Sequence, residues 1–141
     1  MPDAILPQWP EENIDRILEL LPTLEAPDFQ PATWPKLDDR LVDGVRVTQM
    51  PYPIYHEAIE SLRRLIWDGP TLNPYDTLPE DNHETDPRKP DLTAASRNQI
   101  RRYLMLCCRD ERFCDGYLES QFLSGSIPAA LHRLRVLRQE P

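Results

Sequence analysis

Arg109-Asp110-Glu111-Arg112-Phe113-Cys114-Asp115-Gly116-Tyr117-Leu118 is the stretch on which the fold turns. It is a compact corner between two helical patterns. Upstream, Ile100, Tyr103, Leu104 and Cys107 recur at the spacing of one helix face. That helix is expected to open at Asp91 or Thr93, both good N-caps. Arg97, Arg101 and Arg102 are expected to point away from its buried side. Downstream, Leu118 and Phe122 stand one turn apart. Gly125 suits the left-handed residue that ends a helix, and Ser126 suits the cap of the next. There Ile127, Ala130, Leu131, Leu134 and Leu137 make an inward stripe. Asp91 to Arg138 therefore reads as three short helices around one corner.

Working outward, Pro10-Glu11-Glu12 has the form of a helix start, with proline where its missing N–H costs nothing and acids at the positive dipole end. Ile14, Ile17, Leu18 and Leu21 follow at i, i+3, i+4, i+7, and Pro22 ends the run. Phe29 and Trp34 punctuate an irregular, proline-containing segment. Asp43-Gly44 is a strong turn signal between Leu41-Val42 and Val45-Arg46-Val47-Thr48. It predicts a small hairpin over 41–49, which must pack on the helices because two strands alone are marginal in water. A central helix follows Pro53, with Tyr55, Ile59, Leu62 and Ile66 on one face, and Gly69-Pro70 stops it. Residues 70–90 read as a flexible, acidic, proline-rich surface loop. The expected fold is mostly α. It is a compact bundle of about five helices, residues 1–141 forming a single domain, with at most one small β-hairpin. The three C-terminal helices form the core, and the central helix lies across them.

At 141 residues the chain is long enough to bury a core without staples. It carries a net charge of −8, but the charge is unevenly spread. Residues 1–87 hold 6 basic against 18 acidic side chains, and residues 88–141 hold 10 against 6. Either the two halves pair inside the fold, or a local basic face stays free for a phosphate or an acidic partner. The 3 cysteines, Cys107, Cys108 and Cys114, do not make a disulfide framework. With no apolar leader and no apolar run near ~20 residues, a soluble, cytoplasmic, reduced protein is expected, with no membrane span.

The block Arg109-x-x-Arg112-Phe113-Cys114-Asp115-Gly116-Tyr117-Leu118, then Gly125, then Leu131-x-Arg133-Leu134, resembles the C-terminal signature of a bacterial family filed as a domain of unknown function, number 6508. Gly44-Val45 followed by Met50-Pro51-Tyr52 is similar to a second segment of that family. The resemblance covers residues 41–138, with a weak middle. Where members often carry an Asp-Trp with a further Trp, this chain has Trp67-Asp68 and Asn73-Pro74-Tyr75-Asp76. The family brings no established activity, so the resemblance bears on fold rather than chemistry.

Four constellations are candidates for function. Arg97, Arg101, Arg102 and Arg109, with Arg112 and Arg133, would form a partner- or anion-binding face, or else be solvated or paired with the acidic loop 76–86. Arg112 at the corner would fork onto an anion at the next helix start; otherwise Asp115 or Asp110 pairs with an arginine and caps that helix, and Gly116 only permits close helix packing. Tyr52, Tyr55, His56, Tyr75 and Phe113 would line a pocket, with His56 as a base, or be core aromatics and a surface histidine. Cys107, Cys108, Cys114 and His132 lack zinc-ligand spacing and read as buried small hydrophobes rather than a metal site. No phosphate loop, nucleophile elbow or zinc-protease motif is present. The expectation is a non-catalytic protein-binding or adaptor module without a cofactor, its partner a protein. The alternatives are a nucleic-acid-associated protein using the C-terminal arginines, and a phage or mobile-element inhibitor of a host protein.

Overall fold

The computed structural model describes residues 7–36, 40–48 and 50–140. Helix α1 (Glu11–Leu18) begins after Pro10, and the one-turn α2 (Leu21–Leu24) carries Pro22 in its first turn. Strands β1 (Ala32–Thr33), β2 (Arg40–Val42), β3 (Val45–Val47) and β4 (Ile54–Tyr55) lead into α3 (Glu57–Trp67). Three helices follow the 70–90 segment: α4 (Arg97–Glu111), α5 (Tyr117–Leu123) and α6 (Ser126–Gln139). The protein is thus mostly helical, with five helices of 7 residues or more among the described residues.

α4 is the centre of the bundle. It packs on α3, α5 and α6, while α1 closes the far side against α3 and α6. Ile14, Ile17, Ile59, Leu62, Ile66, Ile100, Leu104, Ile127, Leu131 and Leu134 meet in one core, joined by Trp9. The apolar stripes read from sequence on α1, α3 and α6 are the buried faces, because a 3.6-residue period places those positions together. α4 differs in being buried almost all round, from Ile100 through Cys108.

Its start differs from the expected one. Asp91 and Thr93 do not cap α4: Asp91 accepts from the amide and hydroxyl of Thr93 in a turn of its own. The cap is Ser96, whose hydroxyl accepts from the Gln99 amide at 3.1 Å while the Gln99 side chain accepts from the Ser96 amide at 3.0 Å. This reciprocal box satisfies two otherwise orphaned donors.

The Asp43-Gly44 turn joins β2 to β3, both residues having positive φ (52° and 78°), as a two-residue hairpin loop requires. The expected span of 41–49 ends at Gln49, which lies outside the described residues. The expectation that this hairpin packs on the helices is not met: all six strand residues are exposed. A separate two-residue ladder, Ala32 opposite Tyr55 and Thr33 opposite Ile54, ties the irregular segment to the start of α3.

Segment 70–90 contains no helix or strand but is tied to the core. Leu78 is buried, and its amide donates to Asp81 at 2.7 Å. Asx and ST turns at Asn73, Asn82 and Asp86 satisfy further amides. The charge halves pair across the fold. Arg138 on α6 forks onto Asp15 on α1 at 2.7 and 3.2 Å, Arg97 approaches Glu11 at 3.7 Å, and Arg102 meets Asp81.

Candidate functional site

The corner is organised by a residue that the sequence did not single out. Glu111, the last residue of α4, is buried, and its carboxylate accepts from the amides of Gly116 (2.9 Å) and Leu118 (2.8 Å) and from the Tyr55 hydroxyl. The Tyr55 oxygen in turn accepts from the Glu119 amide at 3.2 Å. The free N–H groups at the start of α5 are therefore already served by an internal carboxylate. Burial, reinforced by the Glu111 carboxylate, pushes the Tyr55 phenol well above its ordinary value. Asp115 is exposed and does not cap α5; Asp110 pairs instead with Arg88 at 3.0 and 3.2 Å.

Gly116 has φ of +90°, and a Cβ there would sit 2.8 Å from the Trp34 ring. Trp34 lies over it and donates from its indole nitrogen to Glu119 at 3.0 Å. The glycine thus serves both a left-handed backbone and a close approach. The expectation of close helix packing there is corrected: the close neighbour is Trp34, which lies outside the helices.

The C-terminal arginines do not form one face. Arg101 and Arg102 are each 1% exposed, so the expectation that they point away from the core is corrected. Arg101 donates to the carbonyls of Ile66 (3.0 Å) and Pro70 (2.7 Å), closing the C-terminal end of α3, where unpaired carbonyls are left. Its guanidinium lies 5.5 Å from the Trp9 ring centre. Arg102 grips Asp81 with both terminal nitrogens (2.5 and 2.8 Å) and reaches the Asp76 carbonyl. This guanidinium, aided by Gln99, holds the Asp81 carboxyl down at about 2. Arg97 donates to the Leu137 carbonyl, and Arg133 to the Ala95 carbonyl at 3.0 Å. These four arginines are structural cross-braces. Arg109 and Arg112 are placed otherwise, in an open groove with Glu60, Arg63, Arg64, Trp67 and Cys108.

The aromatic set is not gathered into one pocket. His56 is the N-cap of α3, its Nδ1 accepting from the Ala58 amide at 3.0 Å, and its ring meets Phe29 edge-on at 4.8 Å. The cavity beside it is lined by Thr23, Asp28, Phe29 and Thr33. Tyr55 is committed to Glu111. Tyr75 is exposed beneath Arg109, while Tyr52 and Phe113 face solvent. Cys107 and Cys108 are buried, their thiols pushed up by desolvation to about 12 and about 11, and Cys114 is exposed. His132 sits against Glu25 instead of the cysteines. Among the described residues no three His, Cys, Asp or Glu side chains are grouped to hold a metal ion. None of the described helices is long and apolar enough to cross a membrane.

Exposed large apolar side chains are densest along the chain between Leu41 and Ile54. Cross-strand register puts Val42, Val45 and Val47 on one face of the hairpin, with Leu41 opposite Arg46 on the other. Leu41 is 77% exposed and Val45 64%, and the chain runs on through Met50 (82%), Tyr52 and Ile54, all exposed. The sequence announces this hairpin but predicts that it packs on the helices.

Residues 9–140 match the model of a family of unknown function, DUF6508. No curated protein matches the chain, and no solved structure does.

Proposed function

The chain belongs to the family of unknown function DUF6508, and from that premise we propose that it is a non-catalytic protein-binding module that docks a partner through the β2–β3 hairpin. The observation that carries this reading is the exposure of Val42, Val45 and Val47 on one hairpin face, continued by Met50, Tyr52 and Ile54. A dense run of exposed apolar side chains on a folded domain is costly in water and marks a contact site. A two-stranded ribbon gains little stability on its own, and an exposed ribbon is a form that partner proteins dock against. The polar groups of the helical body support the same reading: His56, Glu111, Arg101 and Arg102 are spent on caps and cross-braces.

The test is a tagged pull-down from the native host at low and moderate salt, run beside Val45→Lys. The reading expects a stoichiometric protein that survives moderate salt and is lost from the variant. Capture of nucleic acid that washes off with salt, or a protein retained equally by Val45→Lys, would refute it.

A further inference from the structure

On α3, Glu60, Arg63, Arg64 and Trp67 follow i, i+3, i+4, i+7 and so share one side of the helix. The end of α4 sets Cys108, Arg109 and Arg112 against them, and the seven residues line an open groove of about 450 Å³. Four guanidiniums there face a single carboxylate, and Glu60 is already held by Arg63 at 3.2 Å. Arg109 donates from Nε to the Tyr75 hydroxyl at 3.1 Å, with its guanidinium 5.2 Å from the Tyr75 ring centre. Arg63 lies 5.7 Å from the Tyr55 ring centre. The two rings hold these guanidiniums in place, which lowers the entropy cost of engaging a ligand. The Arg112 side chain makes no hydrogen bond or ion pair among the described residues. Trp67 is 40% exposed, with the Cys108 thiol beneath it.

We propose that this groove binds an acidic peptide segment of a partner protein. Carboxylates would be forked by Arg64, Arg109 and Arg112, and a neighbouring apolar side chain would lie on Trp67. Planar guanidiniums match carboxylates in two-point geometry. Arginine and tryptophan together are the residues that dominate protein contacts energetically. The groove is open along its length, which suits a chain passing through it rather than an enclosed small molecule. A nucleic acid is disfavoured by the charge balance. The protein carries −8 overall, and Arg101 and Arg102, which would have lengthened a cationic track, are buried. The inference rests on the protein-binding reading only in that the occupant is a polypeptide; the groove shares no residue with the hairpin.

The experiment titrates the full ¹⁵N-labelled chain with a short glutamate-rich peptide containing one leucine, and with its glutamine counterpart. NMR follows the Trp67 indole N–H and the arginine Nε–H signals. Shifts are expected at Trp67, Arg109 and Arg112 with the glutamate peptide, weakening as salt rises. Affinity should fall roughly tenfold in Arg109→Gln/Arg112→Gln, because each of the two solvent-exposed ion pairs lost contributes only modestly. Arg64→Gln, on the other helix, gives an independent variant should the double one unfold. Val45→Lys should bind the peptide as the unaltered chain does, so failure here and failure of the hairpin reading are distinguishable. No shift with the glutamate peptide, equal binding of the glutamine peptide, or tighter binding of a single-stranded DNA oligomer in this groove would each overturn the proposal.

Discussion

Glu111→Ala removes one carboxylate and strands three donors. The Gly116 and Leu118 amides and the Tyr55 hydroxyl all point at that carboxylate, which is 6% exposed. A hydrogen bond to a charged group contributes about 1.5–3 kcal/mol, and a buried donor left unpaired costs about 1–3 kcal/mol. Water can reach some of the opened space, so the sum is discounted to about 3–5 kcal/mol. That is a large share of the 5–15 kcal/mol typical of a folded domain. Glu111→Gln keeps the shape and one oxygen, which can still accept from Leu118 and Tyr55. Its NH₂ would then face the Gly116 N–H, donor against donor, for a loss of about 1–2 kcal/mol. Tyr55→Phe should cost about 1 kcal/mol, and less when Glu111 is already Gln, because the two changes share a bond. Urea unfolding followed by far-ultraviolet circular dichroism measures all four species, and the midpoint should fall with an unchanged slope. A Glu111→Ala protein within about 0.5 kcal/mol of the original would refute the claim that this carboxylate fastens α5 to α4 and α3.

Gly116→Ala should lower the melting temperature by several degrees, because it adds a left-handed backbone penalty of about 1 kcal/mol to a Cβ 2.8 Å from Trp34; combining it with Trp34→Leu should recover part of the loss. Ser96→Ala should cost about 1 kcal/mol in thermal or urea unfolding, whereas Thr93→Ala, outside the α4 cap, should cost less. Asp81 titrates below its unfolded value, so its ion pair with Arg102 adds stability above pH ~4 that is lost as pH falls toward about 2. Asp81→Asn should therefore be less stable at pH 7 and show a flatter acid limb over that window in pH-dependent unfolding.

The helices were legible because hydrophobic period is a local signal: Ile14-Ile17-Leu21, Ile59-Leu62-Ile66 and Ile127-Leu131-Leu134 each lie on a buried face. Asp43-Gly44 likewise announced its turn through backbone chemistry alone. The α4 cap was misplaced at Asp91 or Thr93, because those residues make a competing local bond upstream of the Ser96-x-x-Gln99 capping box. What stayed hidden depends on distant partners. Arg101 reads as pointing away from the core because its acceptors, the Ile66 and Pro70 carbonyls, lie 35 and 31 residues away, whereas the pairing of Arg102 with Asp81 is one that the acidic loop 76–86 had offered. Glu111 reads as an ordinary end-of-helix acid, and only the return of the chain at Gly116 and the arrival of Tyr55 make it a cap. The groove around Trp67 joins residues of α3 to the end of α4, and no sequence window contains both.

The central claim, that the hairpin is a protein-docking surface, is tested most directly by placing a photo-crosslinking side chain at position 45, and separately at Glu140 on the exposed C-terminal end of α6, and irradiating native cells. The account predicts one discrete protein adduct from position 45 and none of the same mass from position 140. A diffuse smear from both positions, or an adduct to nucleic acid at position 45, would contradict it.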